Sequence, residues 1–413
     1  MPFPTLPPTA LAAAPAPSTS LGPFADSAVA WTTWITLMGS VGITVLALAV
    51  AGPVARRTSP AAFGRLTARL ALAAAVLSAL AVPAVLTEIA QQASPSGGYD
   101  YAAAWHSLFA DVVGVLSGLE ITGTVVAAVL LAPLAVPRVT AGRARAWLLG
   151  GGLAAGVAAL AVAKFPADAS DGWGSTVFST AVWMLHLFGG AIWIGGLAGL
   201  LLLAWPGGVT AARRGAFWSA MIRRYSAVAM GSVAAIVLSG LFLYWEHVDG
   251  PEQLFTTMYG RVLGVKVLIF GTLLLLGMAN QFWLHPRIEA LRAAGDDRPL
   301  HAVLGRRFPA LIGAELLLGL TVLFVAPFLH GSARNEAFQA SAARHAASAS
   351  APLPKIPAKQ ASASTWVLGT AETLVVVAVM IGGYRVSGRV ARNRAGSAAA
   401  RRAATEAADP LRQ

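Results

Sequence analysis

Hydrophobic positions in this chain fall into long unbroken blocks, separated by short polar or basic intervals. Nine blocks, near 31–51, 68–90, 107–134, 146–164, 177–204, 225–245, 261–284, 308–329 and 366–384, are long enough for membrane-spanning helices. A bilayer core of about 30 Å asks for about 20 apolar residues at a helical rise of about 1.5 Å. Stretches such as 148–163 and 267–279 do not alternate, which excludes transmembrane β-strands of period two. The pattern predicts an all-α, polytopic transmembrane bundle of about nine spans: an eight-span core plus one C-terminal span.

The intervals give the organisation. Residues 1–30 are rich in Pro and Ala and lack a basic start, so they read as an external tail and not a signal peptide. Residues 31–164 form a four-helix membrane half and 177–330 a second half. The stretch 331–365, rich in Ala, Ser, Pro and Gln, reads as a disordered external linker, followed by the ninth span and a basic tail over 385–413.

Composition narrows the class. Of the 413 residues 56% are hydrophobic and only 12% charged, with a mean hydropathy of +0.66. An ordinary soluble domain carries about 25% charged residues. A soluble enzyme, a disordered chain and a nucleic-acid binder are therefore excluded. Cysteine is absent, which removes disulfides, thiolate nucleophiles, iron–sulfur clusters and zinc–thiolate sites. A metal would need His, Met, Asp, Glu or backbone oxygen.

The net charge of +12 is informative through its placement. Of 30 basic residues, 23 fall in the interval after span one, in every second interval thereafter, and in the tail. Basic loops stay in the cytoplasm. The N-terminus is thus expected outside and the C-terminus inside, which requires an odd number of spans. Glu88, Asp100, Asp168, Asp171, Glu246, Asp249 and Glu252 fall at the opposite ends.

Ionisable residues inside a span are costly and mark candidate function. Span three holds Asp111 and Glu120, span five His186, span seven Lys266 and span eight Glu315, while His106, His247 and His330 fall at outer span ends. These positions read as a ladder of imidazole and carboxylate groups, types that replace water around a cation or carry protons. The plainer readings are specific. Asp111 and Lys266 have matching depth and opposite charge, as a structural ion pair would. Glu120 has hydroxyls nearby at Ser117, Thr122 and Thr124, and the outer histidines are ordinary interfacial residues. Met258, in an outer loop near His247, is the best-placed thioether; Met184, Met230 and Met278 read as core.

His186 stands apart. Its helix reads Trp183-Met184-Leu185-His186-Leu187-Phe188-Gly189-Gly190-Ala191-Ile192-Trp193-Ile194-Gly195-Gly196. Helical spacing puts Trp183, His186, Gly190 and Trp193 on one face, and paired glycines admit a neighbouring helix. His106 and Glu120 are 14 residues apart, which on one continuous helix brings them within about 40° of a common face. His186, His106 and Glu120 are therefore the leading metal contacts. His247, Met258 and His330 form an outer collecting group, and Asp111, Lys266, Trp193 and Glu315 take structural or gating roles.

The run from His186 to Gly196 resembles the CopD (copper resistance D) family of bacterial inner-membrane proteins. So does the order Arg224-Tyr225-Ser226, Ser239-Gly240, and Tyr259-Gly260-Arg261-Val262-Leu263-Gly264-Val265-Lys266. The resemblance covers residues 180–330 most closely. It implies copper transport across the bacterial cytoplasmic membrane, in the direction of uptake, and a periplasmic CopC-like copper protein as partner. His186, Trp193, Gly195, Gly196, Arg261 and Lys266 match the family pattern, and among them only His186 suits a metal ligand. The ninth span departs from the usual eight.

Two other functions compete. A haem-binding membrane redox protein would use His186 as an axial ligand, but no second histidine lies at its depth. A copper-delivery or oxidase-assembly factor would use only the outer ligands. No phosphate loop, nucleotide motif or Ser–His–Asp context points to an enzyme.

Overall fold

The computed structural model describes residues 24–94, 98–167, 172–204, 209–279, 307–329 and 331–345, with scattered positions between 367 and 397. The described elements are all helical. In chain order they are α1 (Phe24–Val45), a π-helical segment (Leu46–Ala51), α2 (Gly52–Thr58), α3 (Pro60–Gln92), α4 (Tyr101–Ser107), α5 (Val112–Leu131), a 3₁₀ turn (Ala132–Ala135) and α6 (Pro137–Ala141). There follow α7 (Ala144–Val162), α8 (Trp173–Ala204), α9 (Ala211–His247), α10 (Gln253–Thr256), α11 (Met258–Ala279), α12 (Arg307–Val325) and α13 (Ala333–His345).

Eight of the described helical stretches are long and apolar enough to cross a membrane, and they coincide with the first eight expected spans. The expected ninth span, at 366–384, lies largely outside the described residues. Large apolar side chains such as Val129 (64% exposed), Leu268 (73%) and Leu317 (66%) stand on the outside of the bundle. That surface suits lipid and not water. The protein is a multi-pass membrane protein.

Helix α1 is the hub. It packs against α3 and α7 of the first half and against α8 and α12 of the second. A single core runs through Ile43, Leu46, Leu70, Leu131, Phe217, Met221 and Ile312, drawn from both halves. Glycine makes the central crossing possible. A Cβ placed on Gly195 would stand 2.6 Å from the Cα of Gly42, so the α1 and α8 backbones touch where both chains lack a side chain.

The first three basic intervals gather at one end of the bundle. Thr140 Oγ1 donates to the Gly64 carbonyl at 3.1 Å, and Arg224 Nε donates to the Ala49 carbonyl at 2.6 Å. Arg56 and Arg145 both stack on Phe63, at 5.0 and 4.7 Å from its ring centre.

Two expectations need correction. The third span is not continuous from 107: α4 ends at Ser107, and α5 begins at Val112. Phe109 takes a positive φ of 64°, and the Asp111 carboxylate accepts from Gly114 N at 2.7 Å, capping α5. The stretch after Gly331 is not wholly a disordered linker, because its first part is α13. Ser332 Oγ accepts from Asn335 N at 3.0 Å, and the Arg334 guanidinium lies 3.3 Å from the Asp249 carboxylate. Glu336 accepts from Tyr259 N. A local cap and two tertiary contacts hold a segment whose composition alone reads as loose.

Candidate functional site

Helix α8 carries His186 on the face toward α9. The Ser239 hydroxyl donates to the Ala235 carbonyl at 2.5 Å, which consumes its only proton. Its oxygen lies 3.1 Å from His186 Nδ1. With that proton committed to Ala235, Ser239 is free to accept from a protonated Nδ1, the tautomer in which His186 presents the Nε2 lone pair. This is the arrangement by which a neighbour fixes the tautomer and orientation of a metal-ligating histidine. Gly240 leaves room for the ring: a Cβ there would meet His186 Cε1 at 3.5 Å.

The glycines of α8 divide between two neighbours. Gly189 faces Ser232 and Ile236 of α9, whereas Gly190 faces Met38 and Gly195 faces Gly42 of α1. His186 shares the Gly189 side, so the face drawn through Gly190 is one helical position off.

A second histidine joins the first through an indole. Trp183 meets the His186 ring edge-to-face at 6.5 Å and the His247 ring at 6.3 Å. His247 Nδ1 lies 2.8 Å from the Leu243 carbonyl, which can only accept, so His247 also presents Nε2. Its other side stacks on Tyr259 at 6.1 Å, directly after Met258 at the start of α11. His247, Met258 and Tyr259 thus stand at the same end of the bundle as His186, with Trp183 between the two imidazoles. Lys266 is half-buried on α11, and its charge reaches His186.

Deeper along α8, the buried Trp193 packs edge-to-face on Phe270 at 5.8 Å. Its carbonyl accepts from the Tyr225 hydroxyl at 2.8 Å. Glu315 on α12 is 4% exposed and within electrostatic reach of Tyr225. Its Oε1 has no hydrogen-bond partner among the described residues. An orphaned carboxyl oxygen at that depth is costly unless a proton, ion or water meets it.

The structure does not bring His106 and Glu120 to His186. With the helix broken at 108–111, His106 lies exposed on α4, a short helix that packs against α3. Glu120 on α5 faces the first half, within reach of Glu88 and Lys164. Among the described residues no group of three or more His, Asp or Glu is placed to hold a metal ion. His330 lies outside the described residues. No ion pair joins Asp111 to Lys266 among the described residues, since Asp111 serves as the α5 cap. Asp111→Ala should therefore cost about 1 kcal/mol as a lost N-cap. A double-mutant cycle with Lys266→Ala should be additive within about 0.5 kcal/mol, read by thermal unfolding in detergent.

Sequence reasoning placed Ser239 and Tyr259 only in the family-like pattern, not as partners of His186 and His247, and passed over Glu336. Ser239 was legible as one of the few hydroxyls in an apolar helix; the other two depend on tertiary placement.

This is the region that the comparisons reach. Residues 219–329, from α9 through the end of α12, match the family model of copper resistance protein D, CopD. The chain is also 34% identical over 141 residues to the copper transport protein CutJ of Bacillus subtilis (strain 168). That alignment covers 33% of this chain and 24% of CutJ, so the chain spans about a quarter of the length of its relative. No solved structure matches. The CopD match contains Ser239, His247, Met258, Lys266 and Glu315, while His186 lies N-terminal to it.

Proposed function

We propose that the protein moves copper ions across the bacterial cytoplasmic membrane, in the direction of uptake. The observation that carries this reading is His186. It is an imidazole inside a helix bundle, held by Ser239 so that its lone pair is free, in contact with the region that matches the CopD model. His247 and Met258 at the outer end collect the ion, His186 receives it, and Glu315 serves as a deeper station. Each offers one or two donors, which suits cargo that must enter and leave. Lys266 raises the electrostatic cost of a cation beside His186 and so acts as a gate. A periplasmic CopC-like copper protein would deliver the ion.

The test is copper entry into proteoliposomes holding the purified full chain. Time-dependent accumulation above protein-free vesicles is expected. Stoichiometric copper binding without accumulation would replace transport by a delivery or assembly role, and a Soret band in the purified protein would replace copper by haem. Ser239→Ala should lower copper affinity roughly 10- to 100-fold, the usual effect of losing the group that orients a ligand. The arginine-rich intervals support a reading with the N-terminus outside and the C-terminus in the cytoplasm. A reporter fused after residue 390 should read as cytoplasmic; a periplasmic signal would overturn the ninth span.

A further inference from the structure

At the arginine-rich end of the bundle, a half-open cavity of about 490 Å³ lies between α2 and α9. Its wall is almost wholly apolar, built by Pro53, Val54, Ala220 and Ala227 and by the hydrocarbon stems of Arg57, Arg223 and Arg224. Arg224 is committed to the Ala49 carbonyl at 2.6 Å, across the π-helical segment that breaks the regular α-helical pattern there. Arg57 and Arg223 are exposed and make no ion pair or hydrogen bond among the described residues.

The charge around them is one-sided. Residues 45–69, 131–147 and 209–224 hold eleven arginines and no Asp or Glu. The connection 280–306 does not supply the missing charge, because it sets Glu289, Asp296 and Asp297 against Arg287, Arg292, Arg298 and Arg306. Among the described residues at this end no carboxylate offsets Arg57 and Arg223, which leaves their guanidinium groups open to an anion from outside. An apolar wall beside guanidinium groups, at the end of spanning helices, calls for a molecule with a phosphate at one end and hydrocarbon at the other.

We propose that this cavity is a binding site for an anionic glycerophospholipid. The phosphate sits between Arg57 and Arg223, and an acyl chain lies along Pro53, Val54 and Ala227. Because the site bridges α2 of the first half and α9 of the second, a bound lipid would tie the halves together at that end. The inference is independent of copper.

The test is native mass spectrometry of the full-length protein released from mixed micelles of phosphatidylglycerol and phosphatidylcholine. Wild type should retain phosphatidylglycerol in preference. Arg57→Gln with Arg223→Gln should reduce that preference roughly thirtyfold, as expected for two basic groups at an anionic surface. Arg138→Gln with Arg143→Gln, at the same end but off the cavity, should leave it intact. Equal retention of the two lipids by wild type would overturn the site, as would an unchanged preference in the Arg57/Arg223 variant or an equal loss in the control. Displacement of phosphatidylglycerol by millimolar inorganic phosphate would show a site for free phosphate instead. Both double variants replace exposed side chains, so unchanged thermal unfolding is expected and separates lipid loss from misfolding.

Discussion

His186→Ala is expected to abolish tight copper binding and copper uptake while the protein still folds. The substitution removes a half-buried ring that bonds to Ser239 and the Ile236 backbone, and Ser239 keeps its own bond to Ala235. No buried donor is stranded, so the stability loss should be modest compared with that of an orphaned polar group. The lost Nε2 lone pair, by contrast, is not replaced at that depth, since the neighbouring imidazole, His247, stands on the outer side of Trp183. His186→Gln is the sharper variant, since it keeps a group able to bond Ser239 but supplies no imidazole. If His186 is a ligand, both variants lose copper. If it only packs, His186→Gln should retain wild-type stoichiometry and uptake, and that result would sink the assignment. His345→Ala, on α13, should change neither quantity. Metal content of purified protein and uptake in proteoliposomes read both outcomes.

The separation between the two readings has a physical basis. A packing histidine needs only a hydrogen-bond partner and a shaped space, and Ser239 and Gly240 supply both. A ligand also needs its second nitrogen unprotonated and a route by which the ion arrives. The tautomer set by Ser239 meets the first condition. His247 meets the second, because it reaches the same Trp183 from the outer end and presents the same nitrogen.

How far the sequence foretold this follows from what each signal reports. Eight spans were legible because twenty consecutive apolar residues have few other uses. The grouping of the first three basic intervals at one end follows from counting arginines, and Thr140–Gly64 and Arg224–Ala49 confirm their common location. The break between α4 and α5 was hidden: hydropathy does not fall at 108–111, and only the Asp111 cap and the positive φ of Phe109 mark it. That break removed the basis for joining His106 to Glu120. The pairing of His186 with Ser239 and the nearness of His247 depend on how α8 and α9 cross. Spacing along one helix carries no information about that crossing. The helix over 333–345 was missed because its order comes from Tyr259 and Asp249, far away in sequence.

A large loss of stability is expected at Gly195. Its α-carbon hydrogens face Gly42, and a Cβ there would meet the Gly42 Cα at 2.6 Å, its carbonyl carbon at 2.9 Å and Ile43 N at 2.9 Å. All three are backbone atoms, so no rotamer change relieves the clash; α1 and α8 must separate. Those helices join the two halves, and their separation would loosen the packing of Leu46, Leu70, Leu197 and Leu200 in the shared core. Overpacking of this kind costs about 1–3 kcal/mol when side chains yield, and more when backbones must move. Gly195→Ala should therefore lose at least about 3 kcal/mol, and Gly195→Leu should fail to accumulate as folded protein. Gly264 on α11 is the matched control, because a Cβ there meets nothing within 4 Å. Gly264→Ala should be neutral or stabilise by up to about 1 kcal/mol through helix propensity. Thermal unfolding in detergent, with yield from the membrane fraction, separates the two sites. A Gly195→Ala protein as stable as Gly264→Ala would mean that α1 and α8 do not cross in contact. The central packing that places His186 against α9 would then have to be redrawn.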